Sequence, residues 1–171
     1  MSDLIEVPIT GQMIADAKEE ADTFKDNLKN SAVNGELTYI GLLGEMLCKT
    51  AIWKFKGPST YDYDVTLNGS KWDVKSKRRS VLPRMDYSVS VCNLNGRQKC
   101  DYYIFTSVCL GKMVGHVLGY YPSDLFWRDC AMINKRGGDG DNGFSALATT
   151  YNMFVGDLYS ATELRDKWKP I

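Results

Sequence analysis

Asp62, Asp64, Asp73 and Lys75 have the types and spacing of a site that holds a divalent cation. Asn68-Gly69 lies between the two acidic stretches and is the strongest short signal for a two-residue hairpin turn. Such a turn fixes the register, so residues whose numbers sum to 137 face each other. Asp64 then faces Asp73, and Asp62 faces Lys75. Side chains alternate along a strand, which puts all four on one face. Tyr61, Tyr63, Val65, Trp72 and Val74 take the other face. Aspartates and lysines on a strand face are most often a solvated surface. Here the opposite face is apolar and aromatic, and the acidic pair is in register. Like charges directly opposite each other destabilise a sheet, so a cation between them is expected. Magnesium or manganese fits best, because hard oxygen ligands suit those ions. A third carboxylate, Glu45, is embedded in an apolar run upstream and is expected to point toward the Asp64–Asp73 pair.

The rest of the chain narrows the chemistry. At 171 residues it is long enough to bury most of its core as one domain. A formal net charge of zero argues against a chain-wide affinity for polyanions but leaves room for a local basic patch. No run of 18 apolar residues spans a membrane, and Met1-Ser2-Asp3-Leu4-Ile5-Glu6 is not a signal peptide. Five cysteines without a C-x-x-C pair point to reduced thiols in a cytoplasmic protein and away from a zinc cage. The single histidine, His116, reads as a strand residue and removes any mechanism that needs two histidine ligands. Neither a nucleophile elbow nor a P-loop is present.

These residues need a scaffold. A first helix is predicted from Thr10, its N-cap, to Leu28, with Met13, Ile14, Ala17, Ala21, Phe24 and Leu28 as its apolar stripe. A second is predicted over about 36–55, with Leu37, Ile40, Leu43, Leu47 and Ile52 buried. Gly41 and Gly44 would let a strand or another backbone approach it closely. The hairpin follows. Tyr87–Val91 reads as a strand or an extended lead-in to a short helix. Asp101–Cys109 and Met113–Tyr120 read as a second hairpin. A short helix opens at Pro122-Ser123-Asp124, Thr149–Val155 reads as a strand, and a last helix spans Ala161–Trp168. This order predicts an α/β (α+β) fold with a central mixed sheet flanked by helices.

The ordered set resembles the PD-(D/E)xK nuclease superfamily. Its matching residues are Gly41-Leu42-Leu43-Gly44-Glu45 on a helix, Asp64 on the first hairpin strand and Asp73-Val74-Lys75 on the second. Asp101-Tyr102-Tyr103-Ile104-Phe105 and Val117-Leu118-Gly119-Tyr120-Tyr121 look like the strands that follow in small members. The likeness covers roughly residues 36–130 and is greatest to short, stand-alone phage-encoded nucleases, which would act in the host cytoplasm. Two positions depart from the pattern: Tyr63-Asp64 replaces Pro-Asp, and Asp73 stands in place of glutamate. The resemblance implies one nuclease domain with a restriction-endonuclease-like core over about 36–130, an N-terminal helical segment over 1–34 and a C-terminal elaboration over 131–171. It implies a metal-dependent endonuclease that hydrolyses DNA, with a homodimer as a candidate assembly. A DNA-binding or partner-binding module without turnover is the alternative on the same fold.

Phosphodiester hydrolysis needs an attacking hydroxide, neutralised charge at phosphorus and a stabilised leaving oxygen. Asp64 and Asp73 would hold the principal magnesium or manganese ion. Glu45 would join them directly or through water, and the carbonyl of Val74 would complete the shell. Lys75 would lower the pKa of the attacking water or neutralise the phosphorane. Asp62 is the alternative ligand, or a partner that orients Lys75. The cations Lys71, Lys77, Arg78, Arg79 and Arg84 surround this strand and are expected to contact DNA phosphates, with Lys135 and Arg136 as a second contact. Gln98 and Tyr102 have a Q-x-x-x-Y spacing that resembles a motif of exonuclease-like branches, but chance accounts for it better. The glycine-rich loop 137–143 lacks calcium-loop spacing.

Overall fold

The Asn68-Gly69 turn has φ of 50° at Asn68 and 84° at Gly69, the positive pair that a tight hairpin turn of this hand requires. In the computed structural model it joins β2 (Val65–Leu67) to β3 (Ser70–Arg78). Val65 pairs with Trp72, Thr66 with Lys71 and Leu67 with Ser70, the register expected for this turn. The structure describes residues 4–23, 38–57, 60, 62–93, 98–130, 132–134 and 149–167. Phe24, Leu28, Leu37, Tyr61, Lys135, Arg136, Trp168 and the glycine-rich loop lie outside the described residues.

β3 belongs to a five-stranded mixed sheet ordered β1-β6-β5-β3-β2, where β1 is Ile5–Pro8, β5 is Tyr102–Cys109 and β6 is Val114–Pro122. Only the β3–β5 pair is parallel, so the chain must cross over between them. The crossing carries β4 (Ser88–Cys92), which belongs to a second sheet with β8 (Thr150–Phe154) and β7 (Met132–Asn134), in the order β4-β8-β7. Sequence reading did not foresee β1, β7 or this split into two sheets. The chain is therefore of mixed α/β class with a central mixed sheet flanked by helices.

Alternation along the strands assigns the two faces. Trp72, Val74, Ile104 and Val108 pack on one face against α1 (Gly11–Thr23) and α2 (Thr38–Ala51). Tyr103, Phe105 and Leu118 pack on the other against Val89, Val91 and Met153 of the second sheet and Phe126 of α3 (Ser123–Asp129). Helix α4 (Ala161–Lys167) adds Ala161 and Leu164 to the first core. Thr10 caps α1 by accepting the Met13 N–H on its hydroxyl, 3.1 Å away. Among the described residues, no helix is long and apolar enough to cross a membrane. All five cysteines are free thiols.

Gly44 lets α2 sit down on the sheet. A Cβ there would stand 1.8 Å from Ser76 Oγ and 2.6 Å from Thr106 Oγ1, two hydroxyls that hydrogen-bond each other at 2.8 Å. Gly41 has no such role, since a Cβ there would meet nothing within 4 Å. The expectation of close approach thus holds at one glycine and fails at the other. Gly44→Ala should lower stability by about 1–3 kcal/mol, through overpacking and loss of the hydroxyl pair. Gly41→Ala should raise it by up to about 1 kcal/mol, through helix propensity alone. Urea unfolding of both variants checks this, and the opposite signs are the test.

Candidate functional site

The register that would place Asp62 opposite Lys75 ends at Val65. The Asp64 N–H donates to the Trp72 carbonyl at 2.9 Å, although Trp72 is already paired with Val65. Two residues thus oppose one, as in a β-bulge, and the side-chain alternation breaks there. Asp62 turns away, and its Oδ1 accepts the Lys99 N–H at 3.2 Å. Its predicted pairing with Lys75 is not formed. Asp64 instead folds its carboxylate along the edge of β3, where Oδ2 accepts the Val74 N–H at 2.7 Å. The side chain replaces the strand that β3 lacks beyond this rung. In an extended residue the N–H and C=O point to the same edge, so the Val74 carbonyl faces the same side as Asp64.

Asp64 and Asp73 are neighbours there, close enough for the charge of one to bear on the other. Asp73 is 3% exposed, so its charge is held out of water. The Lys75 ammonium touches Asp73 Oδ2, which accepts no aligned hydrogen bond. Burial, and then the charge of Asp73, push the Asp64 carboxyl up to about 7. Burial, and then the charge of Asp64, push Glu45 of α2 up to about 8. Glu45 is therefore electrostatically part of the same cluster. It lies on the helix turn that Gly44 seats on the sheet. Among the described residues, no three His, Cys, Asp or Glu side chains stand together at metal-ligating spacing.

Lys75 has two further neighbours. Its Nζ lies 3.3 Å from Gln98 Oε1 and 5.8 Å from the centre of the Tyr103 ring. Gln98 is a member of the site that sequence reading set aside as chance. The Q-x-x-x-Y spacing was the available signal, and only its first residue belongs here. Tyr102 stacks on Trp72 on the opposite face, with ring centres 4.3 Å apart. A cleft of about 130 Å³ opens beside Lys75 and continues past Lys77, Phe105, Ser90 and Thr150 between the two sheets.

The predicted phosphate contacts divide. Lys71, Lys75 and Lys77 share the face of Asp73, by alternation along β3. Lys71 is exposed, with Nζ 5.5 Å from the Tyr63 ring centre. Arg78 is exposed on the other face. Arg79 donates from Nη2 to the Ser88 carbonyl at 2.6 Å, and Arg84 forms a paired hydrogen bond with Asp86. Arg79 is thereby tied to the backbone of β4, whereas Arg84 stays exposed in a surface ion pair. His116 lies on β6, two strands from β3, with Nε2 3.4 Å from the Glu6 carboxylate.

No known protein-family model matches the chain, and no curated protein matches it.

Proposed function

We propose that this chain is a divalent-metal-dependent deoxyribonuclease that cuts within DNA strands. The observation that carries this reading is the buried Asp73 carboxyl beside the half-buried Asp64, with Lys75 against it. Two neighbouring carboxyls largely out of water raise each other's cost of ionising and fit a divalent cation with hard oxygen donors. Asp64 and Asp73 would hold magnesium or manganese together with the Val74 carbonyl, and Glu45 would act from the helix side through water. When bound, the ion supplies charge neutralisation and a nucleophile at neutral pH.

The protein's own groups do the rest. Val74 N–H fixes one Asp64 oxygen and with it the orientation of the carboxylate. Asp73 holds the Lys75 ammonium on the open edge of β3, and Gln98 holds it from the other side. An ammonium there can stabilise charge that builds on a phosphate as the bond breaks. Purified protein should nick supercoiled plasmid with magnesium and not with EDTA. DNA binding without metal-dependent nicking would favour a binding module instead.

Lys77 and Arg78 straddle the end of β3, so they can grip a backbone but cannot both reach one base edge. Their double alanine variant should bind all duplex sequences more weakly. Its salt dependence should flatten by about 0.9 log unit per lost phosphate contact. Affinity measured against salt tests this, and a loss confined to one sequence would contradict it. Arg79→Ala belongs in a separate measurement, because it also removes the bond to Ser88.

A further inference from the structure

Between β3 and β4 the chain makes a loop that neither the metal chemistry nor the fold requires. The loop itself carries Arg79 and Arg84 against one carboxylate, Asp86, and it leaves β3 directly after Lys77 and Arg78. Both feet of the loop are braced. Arg79 and Arg84 place their guanidinium groups 4.9 and 5.5 Å from the Tyr87 ring centre. Arg79 is also tied to Ser88, and Arg84 to Asp86. The Arg79 N–H bonds the Val108 carbonyl at 2.9 Å, and the Gly156 N–H bonds the Met85 carbonyl at 3.0 Å.

The tip above these braces is apolar and faces water. Val81 is 48% exposed and Leu82 is 44% exposed. Pro83 follows, and its ring limits how far the tip can relax. Scattered exposed aliphatics are ordinary on a protein surface. An adjacent pair on a braced loop, leaving the strand that carries Asp73 and Lys75, is not scattered. Leu82 is seven residues beyond Lys75, so it lies within about 25 Å of the site.

We propose that Val81 and Leu82 form a wedge that enters the base stack of duplex DNA held at the site, while the flanking cations sit on phosphates. Aliphatic side chains between cations are the chemistry that unstacks a base step and kinks a duplex. The excess positive charge selects a polyanion over a second copy of this chain, whose identical loop it would repel. This inference rests on the nuclease reading of the site. It adds that the substrate is a duplex, distorted within a few base pairs of the cut.

The test uses the full chain in EDTA with short duplexes that carry 2-aminopurine at successive positions. Wild-type protein should raise the fluorescence several-fold at one step and leave the others dark. Val81→Ser/Leu82→Ser should lose that rise and about tenfold in affinity, with an unchanged salt slope. Leu82→Trp, which keeps the apolar bulk, should retain the rise. The proposal is overturned if wild type binds without any rise, fails to bind duplex, or if the double serine variant keeps the rise. It is also overturned if that variant turns a dimer into a monomer in sedimentation, since the tip would then cover a second copy. Unstacking without magnesium-dependent nicking would leave the wedge standing and sink the nuclease reading. Nicking without unstacking would do the reverse.

Discussion

Lys75→Ala is expected to cut the rate of magnesium-dependent DNA cleavage by about 10²–10⁴-fold, the range for loss of one positioned acid–base or charge-stabilising group. Folding and DNA binding should survive. Lys75 is only one of the cations near the site, and the apolar face of β3 that packs the core is made by Trp72, Val74 and their neighbours. The variant also leaves Asp73 3% exposed without its cation. Metal should therefore bind the variant at least as tightly as wild type. Single-turnover cleavage, with binding in calcium as control, separates the two effects. Gln98→Leu is the companion. It removes one neighbour of the ammonium and leaves the charge, so a loss nearer 10-fold is expected. Wild-type rates in Lys75→Ala would remove it from the chemistry.

The Asn68-Gly69 turn was legible in the sequence because its backbone demand is local. So were the apolar stripe of α2 and the alternation of β5 and β6. The edge of the hairpin was not. A two-residue turn dictates register only while both strands continue, and β2 ends at Val65 because Asp64 bonds β3 through its side chain as well as its backbone. No periodicity announces that exchange, so Asp62 was placed opposite Lys75. The second sheet was hidden for a related reason. Strands β4 and β8 pair across 62 residues at Ser90 and Asn152, and a sequence shows two strands without showing that they leave the central sheet. Gln98 was visible as a spacing. Its role depended on where the chain between β4 and β5 returns, which only the fold decides. Arg79 and Arg84 read as free cations because a sequence cannot show that Tyr87, Ser88 and Asp86 already hold them.

Metal-free protein should lose stability as pH rises, and magnesium should reverse the trend. Asp64 rises from 3.8 to about 7 on folding, and Glu45 rises from 4.5 to about 8. Near neutral pH the native state therefore holds protons on these carboxyls that the unfolded chain has released. Stability falls with rising pH wherever the native state binds more protons. The contribution is fully present below about pH 4 and is lost by about pH 8. Asp64→Asn keeps an oxygen for the Val74 N–H and removes the charge. It should flatten this slope and stabilise the metal-free protein by about 1–3 kcal/mol at pH 8. A divalent cation binds the ionised carboxylates, so its stabilisation should grow with pH and binding should release protons. In the Asn variant that gain should largely vanish. Thermal unfolding of both proteins at about pH 5.5 and about pH 8.5, in EDTA and in magnesium, measures all four corners. If wild type in EDTA shows no more pH dependence than Asp64→Asn, the carboxyls are not held protonated together. If magnesium stabilises both proteins equally, it binds somewhere other than the Asp64–Asp73 edge of β3.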